Sequence, residues 1–222
     1  MKPVLITALK KDFDKKLAAA FVRENHKVYA LGEQQINGVT MLPSDLKEAV
    51  TFLRNNNEHI DIYIDVSDER DFKDNFNVLS GINDKIMREL YELNVIRPMA
   101  MLEAFLPLIE IGEMKRLCFL TSAEASINET RATEGYGYNM AKAGLHNFLQ
   151  ITRNVLAPKN YTIRAYDPMR WEDLRSEFTA EMSAEAAYNY FTRGRGVERG
   201  DPLRDDEENL VFRDAYGRQH AW

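Results

Sequence analysis

The stretch that decides the fold runs from Arg116 to Tyr166. It opens on Arg116-Leu117-Cys118-Phe119-Leu120, passes through a loop to a helical segment from about Tyr138 to Leu156, and closes on Tyr161-Thr162-Ile163-Arg164-Ala165-Tyr166. Short apolar runs on either side of a long helix form one strand–helix–strand unit. The same alternation extends upstream. Val4-Leu5-Ile6-Thr7, Lys27 to Leu31, Gly38 to Leu42 and Ile60 to Val66 read as strands. Helices are expected at about 13–24, with Asp12 as the cap, from Ser44-Asp45 to Leu53, and at about 80–111. A helix around 184–191 and a last strand at Leu210 to Arg213 complete the chain. Strands alternating with helices in this way imply right-handed crossovers. The expected architecture is a single α/β domain with a doubly wound parallel sheet covered on both faces.

Composition narrows the function. The 222 residues carry a net charge of -6, which argues against a nucleic-acid partner. No apolar run approaches the roughly 20 residues of a membrane span. The start at Met1-Lys2-Pro3 has no secretory character, and Cys118 is the sole cysteine, so a cytoplasmic setting is expected. The four scattered histidines make no zinc-like spacing with it, and no metal is expected.

Chemistry gathers on Gly137-Tyr138-Asn139-Met140-Ala141-Lys142. Positions i and i+4 share a helix face, which sets Lys142 beside Tyr138. A nearby ammonium favours the phenolate, so the pair is expected to lower the tyrosine's pKa and make it an acid/base. Ser122, at the end of the fifth strand, stands where open α/β sheets place their sites. Asn94 lies four residues before Pro98. The proline removes the helical partner of the Asn94 carbonyl, and a kink with a water site is expected there.

These residues, in this order on these elements, resemble the short-chain dehydrogenase/reductase family. The resemblance covers nearly the whole chain and includes Leu106-Pro107 and the terminal run Asp214 to Trp222. It implies an alcohol–carbonyl oxidoreductase using NAD or NADP. Tyr138 would be its acid/base and Lys142 would tune it and hold the nicotinamide ribose. Ser122 would position substrate and Asn94 would support a relay water. It implies a homodimer or homotetramer, or pairing with a related subunit. The helices carrying Ile96, Met99, Met101, Leu102, Phe105, Leu145, Phe148 and Leu149 would make the contact. Residues 168–208 would form a substrate lid, with an apolar lining that includes Trp171, Phe178, Met182, Tyr188, Tyr190 and Phe191.

On the cofactor side the sequence departs from the family pattern. The expected glycine-rich loop reads Thr7-Ala8-Leu9-Lys10-Lys11-Asp12-Phe13-Asp14. Glycines there bring backbone N–H groups to a pyrophosphate. Here Lys10 and Lys11 are the candidate phosphate ligands, while an aspartate would compete for the N–H groups. Glu33 and Asp45 are candidates for the adenosine side. Thr7 and Asp65 are candidates at the ends of the first and fourth strands, and Asp65-Val66-Ser67-Asp68 stands where the family has Asn-Asn-Ala-Gly. Two alternatives follow. One is a cofactor-deficient relative acting as a non-catalytic subunit or scaffold. The other is a non-redox enzyme using Tyr138, as in the halohydrin dehalogenases.

Overall fold

The computed structural model describes residues 2–32, 35–169, 179–193 and 205–222. Seven strands lie in one parallel sheet: β1 (Pro3–Leu9), β2 (Lys27–Gly32), β3 (Val39–Met41), β4 (Ile62–Asp65), β5 (Arg116–Leu120), β6 (Thr162–Asp167) and β7 (Val211–Asp214). Their order is β3-β2-β1-β4-β5-β6-β7. The chain winds outward from β1 to β3, returns to β4, and winds outward the other way. A crevice therefore opens between the carboxyl ends of β1 and β4, the switch point of a doubly wound sheet. Register sets Thr7 opposite Asp65 there.

The strands are apolar almost throughout because both faces are covered. Alternate residues serve opposite layers. Leu5, Tyr63, Leu117 and Phe119 pack under helices α2 (Leu46–Asn55), α4 (Arg97–Glu110) and α5 (Tyr136–Leu156). Val4, Ile6, Ile62, Ile64, Cys118 and Leu120 pack under α1 (Asp12–Arg23) and α6 (Ala180–Thr192). Of the expected lid residues, Tyr190 and Phe191 lie in this second layer, and Trp171 and Phe178 lie outside the described residues. The buried Arg116 anchors the end of α6 by donating to the carbonyls of Phe191 (2.9 Å) and Arg193 (2.5 Å), and Arg164 donates to the Arg193 carbonyl as well (3.1 Å).

The long helical stretch begins later than expected. It is α3 (Asp84–Tyr91), capped by Asn83, and it runs into α4 through a π-helical turn at Glu92–Ile96. Leu102, Phe105, Leu145 and Leu149 face the core, while Ile96, Met99, Ile151 and Val155 are exposed. A short helix α7 (Asp205–Glu208) precedes β7. Among the described residues no helix is long and apolar enough to cross a membrane.

Candidate functional site

Tyr138 and Lys142 sit on one face of α5, as their spacing requires. The N-terminus of this helix has no capping side chain of its own, since Gly135 precedes it. Asp74 caps it from outside, accepting from Gly137 N (3.0 Å) and Tyr138 N (2.8 Å). Gly137 permits this approach. A Cβ there would lie 2.8 Å from Leu90 Cδ1 and 3.2 Å from an Asp74 carboxylate oxygen.

The centre of the site is Asp68, the last residue of the run that stands where the family has Asn-Asn-Ala-Gly. Its Oδ1 accepts from the Tyr138 hydroxyl at 2.5 Å and lies 3.5 Å from Lys142 Nζ. Its Oδ2 pairs with Lys11 Nζ at 3.0 Å, and Lys11 also donates to its backbone carbonyl. Lys142, fully buried, donates to the carbonyls of Ser67 (2.6 Å) and Leu120 (3.2 Å). Arg70 stacks on the Tyr138 ring with its guanidinium carbon 3.6 Å from the centroid, and it pairs with Glu124 at 2.7 Å.

This arrangement reverses the expected tuning. Burial, with the Asp68 charge added, pushes the Tyr138 phenol well above its ordinary value, and Arg70 only partly opposes it. Burial lowers the Lys142 ammonium, with Asp68 and Asp65 pulling the other way. Burial would raise Asp68 too, but Lys142, Lys11 and Arg70 together hold it far below the carboxylate range. The lysine's charge is spent on an aspartate and not on a phenolate, so Tyr138 is a hydrogen-bond donor that keeps its proton.

Other expected site residues are committed elsewhere. The Asn94 side-chain amide donates to the carbonyls of Glu69 (2.8 Å) and Leu90 (2.9 Å) and accepts from Glu69 N (3.0 Å), so it staples the segment around Glu69 to the helix. Ser122 caps the short turn Ala123–Ala125 by accepting from Glu124 N. Thr7 donates to Asp65 Oδ2 at 2.7 Å, and both side chains are buried. Asp45 caps α2 through Lys47 N and Glu48 N. Lys10 pairs with Glu69 at 2.9 Å. Glu33 lies outside the described residues.

Asp12 is the first residue of α1 and not its cap as expected; Lys11 holds the N-cap position, and Asp14 in the first turn bonds back to the residues before the helix. The Asp14 carboxylate accepts from Lys10 N (2.8 Å) and Lys11 N (2.6 Å). Ala8 adopts φ +60, a conformation that glycine reaches without strain. Among the described residues, two cavities flank the crevice. One of about 570 Å³ is lined by Arg70, Phe72, Glu124, Arg131, Tyr138 and Asn139 among others. The other, about 390 Å³, lies at the ends of β1 and β2 beside Ala8, Leu31, Gly32, Leu46, Arg97 and Met101.

No protein-family model and no curated protein matches the chain. Solved structures do. Carbonyl reductase Sniffer of D. melanogaster superposes over 100% of both chains with a TM-score of 0.81 at 13% identity. A chain from Burkholderia multivorans described as a short-chain dehydrogenase/reductase with bound NADP gives 0.76 at 15% identity, again over 100% of both. The fold is that of the short-chain dehydrogenases/reductases. A dehalogenation enzyme is also similar, with a TM-score of 0.61 at 17% identity, over 75% of this chain and 71% of that one.

The short-chain dehydrogenase/reductase fold implies a nicotinamide dinucleotide, and as arranged these residues do not fit one. The N–H groups that would receive a pyrophosphate already hold the Asp14 carboxylate. The place between Tyr138 and Lys142 holds that of Asp68. The crevice itself is spanned by the pairs Lys10–Glu69 and Lys11–Asp68. The signal for this was in the sequence as three acids, Asp14, Asp68 and Glu69. Which of them would turn inward was not.

Proposed function

We propose that the chain is a short-chain dehydrogenase/reductase relative that works without a nicotinamide dinucleotide, as a binding subunit acting alone or beside an active relative. The observation that carries this reading is the pair of internal carboxylates, Asp14 and Asp68, standing where phosphate and ribose would be held. A negative charge fixed in the chain repels an anionic cofactor and occupies its donors. The exposed Ile96 at the end of the π-helical turn, Met99 on α4, and Ile151 and Val155 on α5 offer a face for pairing with another subunit. Titration calorimetry of the intact protein with NADH and with NADPH tests the reading. No saturable heat is expected with either, and saturable binding of one of them overturns it.

A second reading, an oxidoreductase interconverting an alcohol and a carbonyl with NAD(P), is favoured by the retained order Asn94, Ser122, Tyr138, Lys142 and by the reductases that share the fold. It requires Asp68 to leave the pair. The third, a non-redox acid/base enzyme, draws on the dehalogenation enzyme. The firmly held phenol proton of Tyr138 weighs against it.

A further inference from the structure

The groups converging on Asp68 are all donors: a phenol and two ammonium groups, reaching both of its oxygens. That is the chemistry of a carboxylate receptor. Asp68 belongs to an irregular segment between β4 and α3, and two of its neighbours hold that segment by partly exposed ion pairs, Lys10–Glu69 and Arg70–Glu124. Such pairs are cheap to exchange. On the open side, the 570 Å³ cavity reaches Tyr138 itself and is lined also by Arg131. Asn139 also lines it, and its Oδ1 is a buried acceptor without a hydrogen-bond partner. A ligand whose entry opens this side of the wall can supply that oxygen with a donor.

We infer that Tyr138, Lys142 and Lys11 form a carboxylate-binding site held closed in cis by Asp68, and that the neighbouring cavity takes a small organic acid bearing a hydroxyl or amino donor, whose carboxylate displaces Asp68. This deepens the binding-subunit reading and rests on it. It differs from a purely structural ion cluster in requiring that an external acid compete for the same donors.

The test uses sodium lactate, with lactamide as the neutral analogue, propionate as the analogue lacking the hydroxyl, and sodium chloride as the salt control. In D68A lactate is expected to raise the melting temperature saturably, by about 3–5 °C for each tenfold beyond its Kd. Propionate should do less, and lactamide and chloride nothing. The effect should vanish in D68A/K142M. Should D68A not fold, D68N replaces it, retaining the shape without the charge. In the wild type, lactate and not lactamide should speed hydrogen exchange across residues 66–72. Equal responses to lactate, lactamide and chloride in both experiments overturn the inference. The dinucleotide titration fails or succeeds independently, so the two claims can be separated.

Discussion

Asp14 is 1% exposed, and burial outweighs its two backbone hydrogen bonds, raising its pKa from 3.8 to about 6. The folded state thus holds this proton more tightly than the unfolded chain does. The contribution is fully present below about pH 4 and is lost as pH rises through about 6, a change on the order of 3 kcal/mol. Asn at this position keeps an acceptor for the Lys10 and Lys11 N–H groups without the charge. D14N is expected to be more stable than wild type at pH 7 by up to about 3 kcal/mol. Its urea midpoint should no longer carry the fall that Asp14 imposes between pH 4 and 6. An unchanged pH profile would show that Asp14 does not govern it. Asp68 has the opposite sign: its stabilisation is present above the carboxylate range and lost only in strong acid. At this scale the sequence was half legible. The spacing of Tyr138 and Lys142 fixes their adjacency, but the direction of their tuning depends on a residue 70 positions away.

At the scale of elements, the β5–α5–β6 unit was the most legible part of the chain, and β5 lies at its expected residues, Arg116–Leu120. A parallel strand buried on both faces announces itself as an unbroken apolar run. Helix ends were less legible where their caps come from distant loops. The start of α5 depends on Asp74, more than sixty residues upstream. D74A is expected to cost about 1–2 kcal/mol, as loss of an N-cap does, read as a lower urea midpoint at unchanged slope. The π-helical turn at Glu92–Ile96 was also hidden. The proline signalled an irregularity, whereas its form follows from Asn94 bonding both Leu90 and Glu69.

Across the whole molecule, the carboxyl end is part of the core edge. The Trp222 ring meets His146 edge-on at 4.7 Å and lies 5.9 Å from Phe212. Asn128 Nδ2 donates to the Trp222 carbonyl at 2.6 Å. His146 is bonded to Thr121, and burial lowers its pKa to about 3, so it stays neutral as pH falls below 6.5. W222A is expected to cost about 2 kcal/mol, less than a fully buried tryptophan, and to lower the thermal midpoint accordingly. The packing of Trp222 was not legible in the sequence. Its partner was invisible because His146 reads as one polar residue on a helix until β7 is laid beside it.

The two lysine–acid bridges across the β1–β4 crevice carry one more consequence. A protein completed by a diffusible ligand gains stability in proportion to the logarithm of that ligand's concentration. On the proposed reading the completing groups are residues of the same chain, present at all times in fixed ratio. The folded population, and with it the protein's abundance, should therefore stay constant while nucleotide pools rise and fall, a form of metabolic deafness written into Asp14, Asp68 and Glu69.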